Sequence, residues 1–180
     1  MRTCSAGAKG GRVTQEEFDQ FYTACAGRLV GHLYAMTGDL AEAEDVVQEA
    51  FVKAWSRRES LAQSGRPEAW IRTVAWRLAV SRWRRGRRAL IAYQRHGVPP
   101  HVQAPNPDLT VLVAALRSLP EEQRRAIVLH HLVDLSVEQV AEETGCPTGT
   151  VKARLARGRG ALARALADSE DDAEREGSCA

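Results

Sequence analysis

Apolar residues recur at helical spacing along nearly the whole chain. They stand three and four positions apart, as in the run from Val46 to Trp55, and no segment of useful length alternates apolar and polar residues as a strand does. The pattern therefore predicts an all-α protein. In the first half we predict three helices. The first runs from Thr14, which forms a capping box with Glu17, to about Met36. The second is capped by Asp39 and runs to about Arg57, and the third runs from Pro67 to about Arg85.

The third predicted helix carries aromatic and basic residues opposite its apolar stripe. The residues expected to be buried are Trp70, Ile71, Val74, Ala75 and Leu78. That stripe would place Arg72, Trp76 and Trp83 on the outward side, beside the arginines of SRWRRGRR at 81–88. Exposed aromatic rings next to arginines bind unpaired bases by stacking and phosphate contact. Packing of the two tryptophans against another helix fits the same wheel equally well.

A segment without amphipathic period separates two predicted units. Residues 89–108 include HGVPPHVQAPNPD, which has four prolines, and we interpret them as a flexible linker. The predicted division is a disordered amino terminus at 1–13, a helical unit at 14–88, the linker, a second helical unit at 109–167 and an acidic disordered tail at 168–180.

The second unit has the layout of a helix-turn-helix. Its first part predicts a short helix near 109–118 and a longer one within 119–134. Ser136 can cap a further helix that ends at Gly145, which can adopt the left-handed conformation, and Thr148 can cap the next one. Two helices joined by a short glycine-containing turn form a DNA-binding motif whose second helix lies in the major groove.

The second helix of this motif is cationic on its outward side. The apolar residues that face inward on a helical wheel are Val151, Leu155 and Leu162. Small residues face outward with cations among and beside them: Lys152, Ala153, Arg154, Ala156, Arg157 and Gly160. Small residues allow close approach to base edges, and arginine can bind guanine O6 and N7 together. A helical hairpin whose basic face is merely solvated fits the same pattern.

Charge is segregated along a chain whose formal net charge is only +2. Acidic residues collect in DLAEAEDVVQEAF at 39–51 and in the tail, whereas basic residues collect at 81–88. The acidic face of the second helix would repel DNA, so it suits a protein partner or water.

Metal, cofactor and catalytic chemistry are not predicted. The four cysteines are scattered without CxxC spacing, and His130 and His131 would point about 100° apart on a helix. No catalytic dyad or phosphate-binding glycine loop is present. No stretch reaches the roughly 18–20 apolar residues that span a bilayer, and the first residues lack the apolar run of a secretory signal. We therefore expect a cytoplasmic protein that is not itself an enzyme.

Three runs together resemble the extracytoplasmic-function (ECF) group of the bacterial sigma-70 family of RNA polymerase sigma factors. They are AEDVVQEAFVKAW at 43–55, AWIRTVAWRLAVSRWRR at 69–85 and LPEEQRRAIVLHHLVDLSVEQVAEETGCPTGTVKARLARGRGAL at 119–162. The resemblance covers essentially residues 14–166. It implies a region 2 helical bundle, a linker and a region 4 helix-turn-helix. It also implies a specificity subunit that binds core RNA polymerase, recognises the −35 and −10 promoter elements, promotes melting and directs initiation at a specific regulon.

The resemblance also implies which residues make each contact. Those expected at the −35 element are Thr148, Thr150, Lys152, Ala153, Arg154, Ala156, Arg157 and Arg159. Those expected at the −10 element and in melting are Ser60, Gln63, Ser64, Arg66, Arg72, Trp76, Arg77, Trp83 and Arg84. Those expected on core polymerase are Asp45, Gln48, Glu49, Phe51 and Lys53. The expected partners are polymerase core and promoter DNA, with an anti-sigma factor as a further candidate and a monomer as the free form.

Two other classes fit parts of the pattern. A stand-alone transcriptional regulator would bind duplex operators as a dimer, but it has no need of the acidic helix. A helical adaptor that binds only proteins has no use for the cation-lined helix.

Overall fold

The computed structural model describes the backbone of residues 13–92 and 107–177 and the side chains of residues 13–85 and 110–168. All regular secondary structure within these ranges is helical, which confirms the predicted all-α fold. The chain divides into two compact units, one in each half, and the short segment Tyr34–Gly38 is grouped with the second unit.

The described part of the first unit forms helices α1 (Gln15–Thr37), α2 (Leu40–Trp55), α3 (Arg58–Ser64) and α4 (Pro67–Ala92). Two helix starts use the predicted caps. The Thr14 hydroxyl accepts a hydrogen bond from the Glu17 amide over 3.2 Å, and the Glu17 carboxylate accepts one from the Thr14 amide over 2.9 Å. Asp39 starts α2 by accepting a hydrogen bond from the Glu42 amide over 3.0 Å.

The core of the first unit is formed largely where α2 packs against α4. Val46 and Ala50 of α2 and Ile71 and Ala75 of α4 are fully buried. Burial of each large aliphatic side chain contributes about 1.5–3 kcal/mol. Aromatic residues of α1 close one end of this core, where the ring centroid of Phe51 lies 6.2 Å from that of Phe18 and 6.0 Å from that of Phe21.

The segment between the second and third predicted helices contains the short helix α3. Its one buried residue, Leu61, is 7% exposed and attaches the segment to the core. Gly65 ends α3 in the left-handed conformation, with φ of 67°. A single apolar residue gives no periodic pattern, so the sequence did not predict this helix.

The second unit forms α5 (Pro107–Arg117), α6 (Glu121–Ile127), a π-helical turn (Val128–Leu132), α7 (Val137–Thr144) and α8 (Thr148–Gly177). The longer helix predicted within 119–134 is thus α6 followed by the π-helical turn. The Val133 amide donates to the Val128 carbonyl over 3.0 Å, one residue further back than in an α-helix. Asp134, with φ of 61°, ends the segment.

Two predicted boundaries differ from the structure. The helix α4 continues to Ala92 and α5 begins at Pro107, so residues 93–106 of the predicted linker lie outside the described ranges. The backbone of α8 continues to Gly177, where we expected a disordered tail from 168. No glycine or proline interrupts residues 168–176, so no residue there stops the helix. Residues 1–12 and 178–180 of the predicted disordered ends lie outside the description.

Candidate nucleic-acid and protein interfaces

The turn between α7 and α8 is built as the sequence predicted, apart from the residue that starts α8. Ser136 and Gln139 form a reciprocal capping box at the start of α7. Gly145, with φ of 68°, ends α7, and the amides of Gly145 and Cys146 both donate to the Ala141 carbonyl, over 2.9 and 3.2 Å. The Val151 amide donates to the Pro147 carbonyl, so α8 starts from this carbonyl and Thr148 is its first residue. The result is a helix-turn-helix.

The inward side of α8 packs closely on α6. Val151 is fully buried and Leu155 is 2% exposed, as predicted. Gly158 is also buried, and a Cβ atom placed on it would lie 2.8 Å from Cγ1 of Ile127. This glycine is therefore required by the helix–helix contact, a role that the helical wheel alone did not reveal.

The outward side of α8 is open. The predicted −35 residues that are exposed are Thr148, Thr150, Lys152, Ala156, Arg157 and Arg159. Ala153 is half-buried. The small side chains lie among long cations, so this surface can approach a DNA duplex closely while its cations reach phosphates and base edges.

Arg154 differs from the other cations of α8. Its Nη2 lies 2.9 Å from Oε2 of Glu122, and its Nη1 lies 3.3 Å from Sγ of Cys146. Its side chain is 25% exposed. The sequence prediction placed Arg154 on the DNA-facing side, whereas the structure directs its guanidinium towards α6 and the turn. Glu122 is 32 positions away along the chain, and no local pattern indicates the pairing.

The adjacent histidines lie in the π-helical turn. The Nδ1 atom of His130 lies 2.7 Å from the Leu135 carbonyl oxygen. Burial, the neighbouring His130 and the Arg159 guanidinium lower the pKa of His131. In the part of the chain that is described, no group of three or more metal-ligating side chains is present.

The buried stripe of α4 is displaced by one residue from the predicted stripe. The buried residues are Ile71, Arg72, Ala75, Trp76 and Ala79. Trp70, Val74 and Leu78 are half-buried. A one-residue shift rotates the buried face by about 100°. The prediction that Arg72 and Trp76 lie on the outward side is therefore wrong, since they are 4% and 6% exposed. Burial of the large indole of Trp76 contributes more to the free energy of folding than full burial of either aliphatic residue, Val74 or Leu78, would.

Other predicted −10 residues are on the surface. Trp83 is 55% exposed near the end of the described side chains of α4. The other exposed residues of this set are Ser60, Gln63, Ser64, Arg66, Arg77 and Arg84. The Ser60 and Ser64 hydroxyls donate to the carbonyls of Arg57 and Leu61, and the Ser64 oxygen also accepts from the Arg66 amide over 3.4 Å. We call the exposed residues of α3 and α4 in this set the α3–α4 surface.

The residues of α2 that were expected to bind polymerase are exposed except for Glu49 and Phe51. The Asp45 side chain is 69% exposed, and Gln48 and Lys53 are also exposed. Glu49 is half-buried and pairs with Lys53 over 3.0 Å. Phe51 is 4% exposed within the aromatic cluster, so it supports α2 from beneath instead of contacting a partner directly.

Arg82 of α4 binds three carboxylates of α2, a contact that no local pattern in the sequence indicates. Its guanidinium nitrogens lie 2.8 Å from Glu49, 3.5 Å from Glu42 and 3.6 Å from Asp45. Hydrogen bonds from Lys53 and Arg82 lower the pKa of Glu49. Burial raises the pKa of Glu42, whose Oε1 is buried without a hydrogen-bond partner.

The two units match two family models. Sigma-70 region 2 matches residues 21–89, and Sigma-70 region 4 matches residues 109–162. The ECF RNA polymerase sigma factor SigW of Bacillus subtilis is 30% identical over 166 residues, covering 83% of this chain and 84% of the relative. The chain belongs to the ECF group of sigma factors. It binds core RNA polymerase, recognises −35 and −10 promoter elements and directs transcription initiation.

Further relatives agree with this sigma factor in sequence and fold. The ECF sigma factor SigL of Mycobacterium tuberculosis is 33% identical over 141 residues, covering 74% of this chain and 80% of the relative. The sigma factor RpoE of Bartonella quintana, solved in complex with the anti-sigma factor NepR, has a TM-score of 0.75 and 27% identity, covering 84% of this chain and 97% of that one. CnrH, solved in complex with the cytosolic domain of CnrY, shares the fold with a TM-score of 0.60 at 23% identity.

Over residues 13–92 and 107–177, the sigma factor has no helix that meets the length and hydropathy needed to cross a membrane.

Proposed function

We propose that this sigma factor selects promoters with three separate surfaces: the outward side of α8, the α3–α4 surface and the acidic face of α2. The observation that carries the proposal is the open cationic side of α8 above a closely packed inward side. Each surface has the charge and shape that one partner requires, and each can be tested by itself.

The outward side of α8 reads the −35 element in the duplex. Lys152 and Arg157 are exposed and able to reach the major groove. Ala153 and Ala156 lie between them and leave room for base edges. Arginine forms paired hydrogen bonds with guanine, so we assign base reading to Arg157 and phosphate contact mainly to Lys152 and Arg159.

The α3–α4 surface holds the separated strand of the −10 element. Trp83, which is 55% exposed, offers aromatic surface on which an unpaired base can stack, and Arg77 and Arg84 provide cations for the backbone. The hydroxyl and amide groups of α3 provide acceptors and donors for a base that has left the stack. Unstacking costs a few kcal/mol for each base, so this surface acts together with polymerase and the −35 contact.

The acidic face of α2 docks on core polymerase. Asp45 and Gln48 are exposed there, while the buried Phe51 and the guanidinium of Arg82 keep the helix and its carboxylates in place. An acidic surface repels DNA and attracts a basic protein surface.

The chain acts as a non-catalytic specificity subunit in the cytoplasm, at the nucleoid when it is bound to polymerase. Its partners, the polymerase and the chromosome, are located there. An anti-sigma factor is a candidate further partner, which the complex of RpoE with NepR supports.

Co-elution with purified core polymerase on a sizing column tests the docking surface. Replacing Asp45 and Gln48 together by lysine should abolish co-elution, because it reverses the charge of the face. The matched control replaces two exposed residues of α1, Glu16 and Asp19, by lysine and should co-elute as the wild type does. Wild-type co-elution of the α2 variant would contradict the docking role.

A further inference from the structure

We propose that Glu122 holds Arg154 away from DNA and thereby limits the sequence-independent affinity of α8 for the duplex. The inference rests on the proposed function of α8 as the duplex-reading helix. It assigns to Glu122 a role in specificity and removes Arg154 from the set of residues that bind DNA.

The guanidinium of Arg154 is bound at two of its nitrogens. Glu122 of α6 accepts at 2.9 Å, and the Cys146 sulfur in the turn accepts at 3.3 Å. Only 25% of the Arg154 side chain is exposed, whereas Lys152 and Arg157 on the same helix are exposed. One of the cations of α8 is therefore withdrawn from the open side by the fold itself.

A cation that is already paired with a carboxylate contributes little to sequence-independent DNA binding. That binding gains free energy when counterions leave the phosphates that lysine and arginine neutralise. If Arg154 turned towards a phosphate, the carboxylate of Glu122, which is 52% exposed, would be left unpaired close to the DNA. Glu122 thus opposes the contact twice, by attracting Arg154 and by repelling the phosphate. Lys152 and Arg157, which lack this tie to α6, retain the contacts to phosphate and bases.

The salt dependence of binding measures how many phosphates the protein neutralises. The full-length chain is titrated against a fluorescent 25-base-pair duplex of arbitrary sequence, from 50 to 200 mM KCl. In E122Q, Arg154 is released and adds one phosphate contact, so the slope of log K against log salt should steepen by about 0.9. Across this range the affinity of E122Q should then fall about 3.5-fold more than that of the wild type. The additional loss is the ratio of the final to the initial salt concentration, raised to the added slope of about 0.9.

Two further variants separate this role from a purely structural one. R154Q in the wild-type background should not steepen the slope, even if it lowers the melting temperature, because Arg154 contacts no phosphate there and the unpaired Glu122 repels phosphate. The double variant E122Q/R154Q should return to the wild-type slope. E121Q is the matched control: it removes the same charge from the same helical turn, next to Arg124 instead of Arg154. Its slope should match the wild type.

A wild-type slope in E122Q, or an E122Q/R154Q slope that differs from the wild type, would overturn the inference. K152Q distinguishes this failure from failure of the proposed function, because Lys152 is an exposed cation of α8 to which we assign phosphate contact. It should flatten the slope by about 0.9, and an unchanged slope would show that α8 does not lie on the duplex, which would overturn both.

Discussion

Arg82 of α4 donates a hydrogen bond to Glu49 of α2 over 2.8 Å. The contact joins a helix that we assign to polymerase docking with a helix that we assign to strand separation. Because the same guanidinium also lies near Glu42 and Asp45, it fixes three carboxylates of the acidic face in one arrangement. The neighbouring helix α4 therefore holds the docking surface in shape, so polymerase docking and strand separation depend on the same contacts.

The two glutamates bound by Arg82 should give opposite pH dependences of stability. The pKa of Glu49 is lowered, so its contribution is present above the ordinary value of 4.5 and is lost as the pH falls through the lowered pKa. The pKa of Glu42 is raised, so its contribution is present below 4.5 and is lost as the pH rises through the raised pKa.

Urea unfolding of the wild type, E42Q and E49Q from about pH 3.5 to about 6.5 checks this. As the pH rises, the free energy of unfolding of the wild type minus that of E49Q should increase, and the same difference for E42Q should decrease. If both differences change in the same direction as the pH rises, burial does not dominate at Glu42.

Two glycines of α8 should respond in opposite ways to substitution by alanine. A Cβ atom at Gly158 would approach the buried, β-branched Ile127 to 2.8 Å, so Gly158→Ala should destabilise the second unit by about 1–3 kcal/mol. Nothing lies within 4 Å of a Cβ atom at Gly160, so Gly160→Ala should stabilise α8 by about 1 kcal/mol through helix propensity. Urea unfolding measures both, and a Gly158→Ala variant as stable as Gly160→Ala would contradict the described packing of α6 on α8.

Arg157→Ala should weaken recognition of the −35 element by about 1–3 kcal/mol and relax base preference there, because Arg157 is the central exposed arginine of α8. Promoter libraries randomised at the −35 element and transcribed in vitro would show both effects. Arg164→Ala, seven residues further along the same helix, is the control and should leave base preference intact. Unchanged selectivity of the Arg157 variant would refute its assigned role.

Trp83→Ala should weaken binding of holoenzyme to a fork-junction DNA with an unpaired −10 strand by about 1–3 kcal/mol, because it removes one stacking face. Trp83→Phe should retain part of that affinity. Trp76→Ala should instead destabilise the first unit by about 3–5 kcal/mol, since Trp76 is 6% exposed. Equal affinity of Trp83→Ala and the wild type for the fork would remove Trp83 from the DNA-binding set.

Much of the fold follows from local signals in the sequence. The caps at Asp39 and Ser136 and the left-handed Gly145 are set by residues within one helical turn of each boundary, so the sequence was sufficient to locate them. The two sides of α8 were also predicted, since the bulky apolar Val151 and Leu155 lie on one side of the helix and are buried, whereas Leu162, predicted on the same side, is half-buried.

Features that depend on distant residues could not be predicted. The one-residue displacement of the α4 stripe results from burial of Arg72 and Trp76, which a periodicity count scores as outward. The carboxylate partners of Arg82 and Arg154 lie more than thirty positions away along the chain. Each of these two ion-pair contacts changes the candidate site, because an arginine that the sequence suggests is available to a partner is bound to a carboxylate of the same chain.

Run-off transcription with purified bacterial core polymerase, on a library of genomic fragments from the source organism, tests the central claim most directly. The sigma factor should cause initiation at a discrete set of start sites that share −35 and −10 elements, whereas core polymerase alone should not. The Asp45 and Gln48 lysine variant should abolish all of these transcripts, and Arg157→Ala should change which of them are made. A purified, folded chain that gives core polymerase no start-site selectivity would contradict the account.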